Sequence, residues 1–212
     1  MLKKINFHTH TKRCKHAKGE DKDYIDAAIK NNLDILGFSD HGPYPDNRFN
    51  LRMNFNELEE YKTTLEKLKI KFKNFIQIKI GLEIEYLPSD DFYYNYLKNE
   101  LKFDYLALGQ HLFLTENGEL KNTYSLKSTK EYIEYAKSIC LGIKSGYFDF
   151  VAHPDLIFIN DFPWDENCDK ACNLIIDTAK KYDFILEFNA NGIRRGKKKY
   201  SDGERFPYPY EK

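Results

Sequence analysis

A chain of 212 residues is long enough for one sizeable hydrophobic core, and 42% hydrophobic and 16% aromatic residues suit a packed globular fold. Lys plus Arg and Asp plus Glu number 33 each, so the net charge gives no argument for a nucleic-acid or membrane partner. The longest apolar runs fall well short of the ~18 residues of a membrane span. The four cysteines lack the paired spacing of a zinc ribbon and follow no secretory segment, so a reduced, cytoplasmic, single-domain protein is expected.

In chain order, residues 3–8 read as a strand, 21–32 as a helix and 34–39 as a second strand. Residues 56–71 form an amphipathic helix with Leu58, Tyr61, Leu65 and Leu68 on one face, capped by Asn54 or Asn56. A strand over 75–82, a helix over 90–101 and a strand over 103–108 follow. The helix over 128–145 opens with Ser128 as cap and Glu131 three residues on. A strand over 147–152, a helix over 167–182 and a strand over 184–188 complete the pattern. Such alternation argues for an α/β fold built on a parallel sheet. Candidate ligands after several strands favour a closed barrel, whose site gathers loops from all strand ends, over an open doubly wound sheet.

All six histidines stand at or just beyond predicted strand ends, where imidazoles can converge on a metal ion. His8-Thr9-His10 ends the first strand, and side chains two apart on a strand share a face. His41 follows Ser39-Asp40 at the end of the second strand, and His16 lies in the first loop. Gly81-Leu82-Glu83 closes the third strand, and a carboxylate there can bridge two cations, which an imidazole cannot. Glu85 competes with Glu83, because alternation from Gly81 points both the same way. His111 and His153 end the next two strands. Asp40 is as well suited to capping its loop as to chemistry, and Cys14 lies between two candidate ligands. The basic run Arg194-Arg195 with Lys197-Lys198-Lys199 reads as solvated surface, although it lies near a strand end.

These motifs resemble the polymerase and histidinol phosphatase (PHP) superfamily, in its histidinol-phosphatase branch. The matching residues are His8-Thr9-His10, Ser39-Asp40-His41-Gly42-Pro43, Arg52-Met53 ahead of Glu57-Leu58-Glu59-Glu60-Tyr61, and Gly81-Leu82-Glu83. They continue with His111, Ala152-His153-Pro154-Asp155 and the run Glu187-Phe188-Asn189-Ala190-Asn191-Gly192-Ile193-Arg194. The resemblance implies a distorted (β/α)7 TIM-like barrel holding two to three divalent ions of zinc, manganese or iron. His8, His10 and Glu83 would hold the first ion, Glu83, His111 and His153 the second, and His16 and His41 the third. The family's last motif, a Ser-Asp-Ala-His or similar at the seventh strand, has no counterpart before Lys212, which reads as the start of the preceding helix. The expectation is therefore a C-terminally incomplete barrel of about six strands, with impaired turnover and an open edge that a partner or a second copy could cover.

The implied activity is hydrolysis of a small phosphate monoester, with L-histidinol phosphate of histidine biosynthesis as leading substrate. A metal-activated water would attack phosphorus, with no separate catalytic side chain. Arg194 matches the family's phosphate-binding arginine, and Arg195, Arg52 and Arg48 are further candidates for substrate binding. Two alternatives stand beside this reading: a PHP phosphoesterase acting on nucleotides or nucleic-acid ends, and an inactive metal-binding or interaction module.

Overall fold

The computed structural model describes residues 2–210. Two compact units make up the chain, Met1–Ile84 with Tyr96–Ala107, and Glu85–Asn95 with Leu108–Lys212.

The first unit alternates strand and helix: β1 (Ile5–Asn6), α1 (Asp21–Lys30), β2 (Ile35–Phe38), α2 (Leu58–Lys71), β3 (Gln77–Ile84) and the body of β4 (Tyr105–Leu108). β1 pairs with β2 in parallel, Ile5 opposite Ile35, and β2 with β3, Ile35 opposite Gln77. The parallel register continues past the strands, through Ser39 N donating to Thr9 O at 2.9 Å and a bridge between His41 and Glu83. β4 joins β3 through Asp104 N donating to Ile80 O at 2.7 Å. α2 packs its buried Leu58, Tyr61 and Leu65 inward, and the Tyr61 hydroxyl donates to Gly81 O at 2.9 Å. Asn54 forms a reciprocal capping box with Glu57 ahead of α2, so Asn54, rather than Asn56, opens the helical segment.

The second unit contains α3 (Asp91–Asn95), the hairpin β5 (Leu112–Leu114) and β6 (Leu120–Asn122), α4 (Lys130–Ser145), β7 (Phe150–Val151), α5 (Glu166–Lys181), β8 (Ile185–Leu186), the short α6 (Asn191–Arg194) and the hairpin β9 (Lys198–Tyr200) and β10 (Gly203–Arg205). β7 pairs in parallel with β8, and Ala152 N donates to Leu108 O, the last residue of β4, at 2.9 Å. α4 and α5 pack against one another, with Tyr135, Ala136, Ile139 and Ala171 fully buried.

Two local expectations, the opening of α4 and the C-terminal helix, differ from the structure. α4 has Thr129 at its cap without a side-chain cap bond, and the Glu131 carboxylate accepts the N–H groups of both Lys127 and Ser128. α5 is capped by Asp165, which accepts Asn167 N and Cys168 N. Residues 207–209 form bends and no helix starts over the described residues 206–210, and Glu211 and Lys212 lie outside the described residues. Among the described residues no helix is long and apolar enough to cross a membrane.

Candidate metal centre

In the first unit the site begins with two missing side chains. A Cβ on Gly37 would lie 2.5 Å from the Tyr105 hydroxyl, and one on Gly81 would lie 2.5 Å from the Tyr105 ring. The glycines thus admit Tyr105 across β2 and β3, where its hydroxyl lies 2.8 Å from both Phe7 O and Phe38 O. Those carbonyls belong to the residues just before His8 and Ser39, so the ring fastens two strand ends at the point where the ligands emerge.

Asp40 fastens the next segment. Fully buried, it accepts Thr11 N at 2.6 Å and Thr11 Oγ1 at 2.9 Å. Thr9 N donates to Ser39 Oγ at 3.0 Å. The segment from His8 to Thr11 is thereby pinned to the end of β2, and alternation turns His8 and His10 to one side. Their Nε2 atoms lie 3.0 Å apart.

Glu83, fully buried at the end of β3, places one oxygen among three imidazoles. Its Oε2 is 3.2 Å from His8 Nε2, 3.1 Å from His10 Nε2 and 3.3 Å from His41 Nδ1. The exposed His16 ring lies 5.3 Å from that of His10 and 5.1 Å from that of His41. The ligand atoms of His10, Cys14, His16 and His41 all fall within 4.8 Å of one another. Buried carboxylate oxygen and imidazole nitrogen converging at these distances form a donor set that zinc, manganese and iron accept. Burial, with the Asp40 carboxylate alongside, pushes the Cys14 thiol well above its ordinary range.

In the second unit, His111 Nδ1 lies 3.5 Å from Oε1 of the fully buried Glu85, and its ring centroid is 4.9 Å from that of His153. Gln110 holds the backbone before His111 by pairing with Tyr86, accepting its N–H at 2.9 Å and donating to its carbonyl at 3.0 Å. His153 has φ of 32°, a left-handed conformation unusual for a side chain of this size, and its N–H donates to Glu187 Oε2 at 3.0 Å. Asn189 Nδ2 donates to the same oxygen at 2.9 Å. Burial pushes the Asp155 carboxyl up to about 6.

The first unit therefore brings together His8, His10, His16, His41 and Glu83, and the second places His111 beside His153. Of the arginines, Arg52 is buried and donates to Gly42 O at 2.9 Å, immediately after His41. Arg48 is exposed, 4.4 Å above the Tyr44 ring, and Arg194 and Arg195 are exposed at the end of α6. Sequence reasoning set Glu85 aside for Glu83, yet each carboxylate meets imidazole in its own unit, as their shared alternation allows. It gave Glu187 no role; the carboxylate one residue past β8 was the available signal.

A family model described as the PHP domain matches residues 6–191. A candidate histidinol-phosphatase of Deinococcus radiodurans is 28% identical over 156 residues, covering 70% of this chain and 59% of that protein. The histidinol-phosphatase of Bacillus subtilis is 24% identical, over 92% of this chain and 83% of that protein. Among solved structures, a candidate histidinol phosphatase HisK from Listeria monocytogenes superposes with a TM-score of 0.74 at 21% identity, covering 90% of this chain and 84% of that one. A Lactococcus lactis histidinol phosphate phosphatase solved with zinc, L-histidinol and phosphate gives 0.69 at 21% identity, over 90% and 74%. The fold is thus the α/β, TIM-like fold of these proteins, and with nearly its whole length matched the chain belongs to the PHP domain family.

Proposed function

We propose that this chain is a metal-dependent phosphatase that hydrolyses a small phosphate monoester, L-histidinol phosphate first among them. The observation that carries the reading is Glu83 Oε2 lying within 3.1–3.3 Å of His8, His10 and His41. The names of the Deinococcus and Bacillus relatives support the substrate. The assigned ligands are His8, His10, His16, His41 and Glu83 of the first unit and His111 and His153 of the second, holding two to three divalent ions of zinc, manganese or iron. Ions bound there would supply water activated near neutral pH, with a pKa towards ~7, and would neutralise phosphate oxygens. The protein's own part is to aim lone pairs. Asp40 and Tyr105 hold the strand ends so that imidazoles need not reorganise, and the Glu83 carboxylate balances positive charge in a buried setting. Arg194 is assigned to the phosphate, where a planar guanidinium can donate two parallel hydrogen bonds. Arg52, tied to the backbone after His41, is assigned to shaping that loop beside the substrate.

The test compares phosphate release from L-histidinol phosphate and from a nucleoside monophosphate by the purified, metal-loaded chain. Preference for histidinol phosphate by at least ~10-fold in kcat/KM, about 1.4 kcal/mol of transition-state discrimination, is expected. Faster hydrolysis of the nucleotide would replace the substrate assignment with a nucleotide phosphoesterase.

A further inference from the structure

His16 is the exposed member of the ligand set, and the loop that carries it, residues 12–19, lies outside any strand. Lys12 N donates to Gly19 O at 3.2 Å across the base of the loop, and Lys15 N donates to Lys12 O at 3.0 Å. Lys15, one residue before His16, is left-handed with φ of 60°, a conformation that a lysine keeps only where its surroundings hold it. Two side-chain pairs reach out of the loop. Lys12 Nζ meets Glu20 Oε1 at 2.6 Å, but both groups are more than half exposed, and such pairs hold weakly in water. Arg13 is placed differently. Its side chain is 13% exposed, and Nη1 donates to Oδ1 of the buried Asp21, the first residue of α1. Nη2 donates to Glu60 Oε2 at 3.4 Å, and Cζ lies 5.4 Å from the centroid of the Tyr61 ring. Glu60 and Tyr61 belong to α2, and the Tyr61 hydroxyl donates to Gly81 O, two residues before Glu83.

We propose that Arg13 is a positioning residue: held by Asp21, Glu60 and the face of Tyr61, it fixes the loop of residues 12–19 so that the His16 ring stands 5.3 Å from that of His10 and 5.1 Å from that of His41. The proposal rests on the metal-centre reading for the ion that His16 would hold, and not for the clamp itself. One planar guanidinium can donate in two directions while its face rests on a ring, which a lysine ammonium cannot do. The loop of His16 and the strand of Glu83 thereby share an anchor in Tyr61. A buried ion pair adds little net stability over apolar packing, but losing one partner leaves the other charge buried and unpaired. The use of such a pair is to make one arrangement of the loop far better than the rest.

The test titrates zinc into the full chain against a competing chelator, with His16→Ala marking the binding step that needs His16. Arg13→Gln should weaken that step by about 10–100-fold, the scale for losing a group that supports a ligand. The remaining steps should stay within about 2-fold of wild type, as expected of uncoupled sites. Arg13→Lys should recover part of the loss, and Arg13→Gln with Asp21→Asn should cost no more than the worse of the two alone, because both remove one interaction. An unchanged His16 step, or equal weakening of every step as a general loss of folding would give, would overturn the proposal. If the wild type binds no zinc, the metal-centre reading fails, and trypsin decides the clamp by cleavage after the exposed Lys15 and Lys18. Faster cleavage there in folded Arg13→Gln than in wild type is expected, and equal rates would overturn the clamp.

Discussion

Three acids of the first unit, two fully buried and one at the surface, do three different jobs, and their surroundings show why. Glu83 faces imidazoles, Asp40 faces Thr11 and the Cys14 thiol, and Asp104 faces Lys69 Nζ and Ile80 N, both at 2.8 Å. From sequence, Glu83 could be placed because it ends an apolar strand. Asp40 could not be resolved between loop cap and chemistry, since its decisive partner, Thr11, is brought to it only by the pairing of β1 with β2. Asp104 carries a pH prediction. Burial opposes its ionisation, but the Lys69 ammonium, the Ile80 N–H and nearby Lys79 outweigh this and hold its carboxyl below the usual range. A depressed folded-state value stabilises above the unfolded value of ~3.9 and is lost as pH falls through the folded one. Asp104→Asn should therefore cost about 0.2–1 kcal/mol in urea denaturation at pH ~7, the scale of a solvent-screened ion pair, with the gap to wild type closing as pH falls below the unfolded value. A gap independent of pH would contradict this account of Asp104.

At the scale of elements, the strand and helix alternation was legible because apolar, β-branched strands and long amphipathic helices announce themselves. The hairpins β5–β6 and β9–β10 were not: β6, β9 and β10 carry lysines or other charged residues, as in Lys198-Lys199-Tyr200, and the apolar β5, Leu112-Phe113-Leu114, is only three residues long, too short to show a period. The two glycines under Tyr105 were also silent. Gly81 reads as part of a motif, and nothing in the sequence says that an aromatic ring from β4 fills its place. Gly81→Ala should cost about 1–3 kcal/mol, because the new Cβ would lie 2.5 Å from three-bonded ring carbon that cannot yield without moving β4. Equal denaturation midpoints for variant and wild type would show that Tyr105 is not held as described. The prediction also links packing to function, since the same ring secures the carbonyls before His8 and Ser39.

At the scale of the whole molecule, the histidines were the clearest sequence signal because a metal ligand needs only a residue type and a strand end. Their grouping needed coordinates. The meeting of His8, His10 and His41 on one oxygen of Glu83 depends on the parallel register that sets His41 beside Glu83. The balance of 33 basic and 33 acidic residues offers no argument for a polyanionic partner, so the reading falls back on this site and on the family. Its central claim is that phosphate release depends on metal held by Glu83. The most direct measurement is bound metal per chain, by mass spectrometry, alongside phosphate release from L-histidinol phosphate, for wild type, chelated and reconstituted wild type, and Glu83→Gln. Wild type should lose activity on chelation and regain it with zinc or manganese, while Glu83→Gln should bind metal at least ~10–100-fold more weakly, an outer-shell loss being the lower bound, and stay inactive at the same metal concentration. Activity that survives complete metal removal, or full metal loading and turnover in Glu83→Gln, would contradict the account.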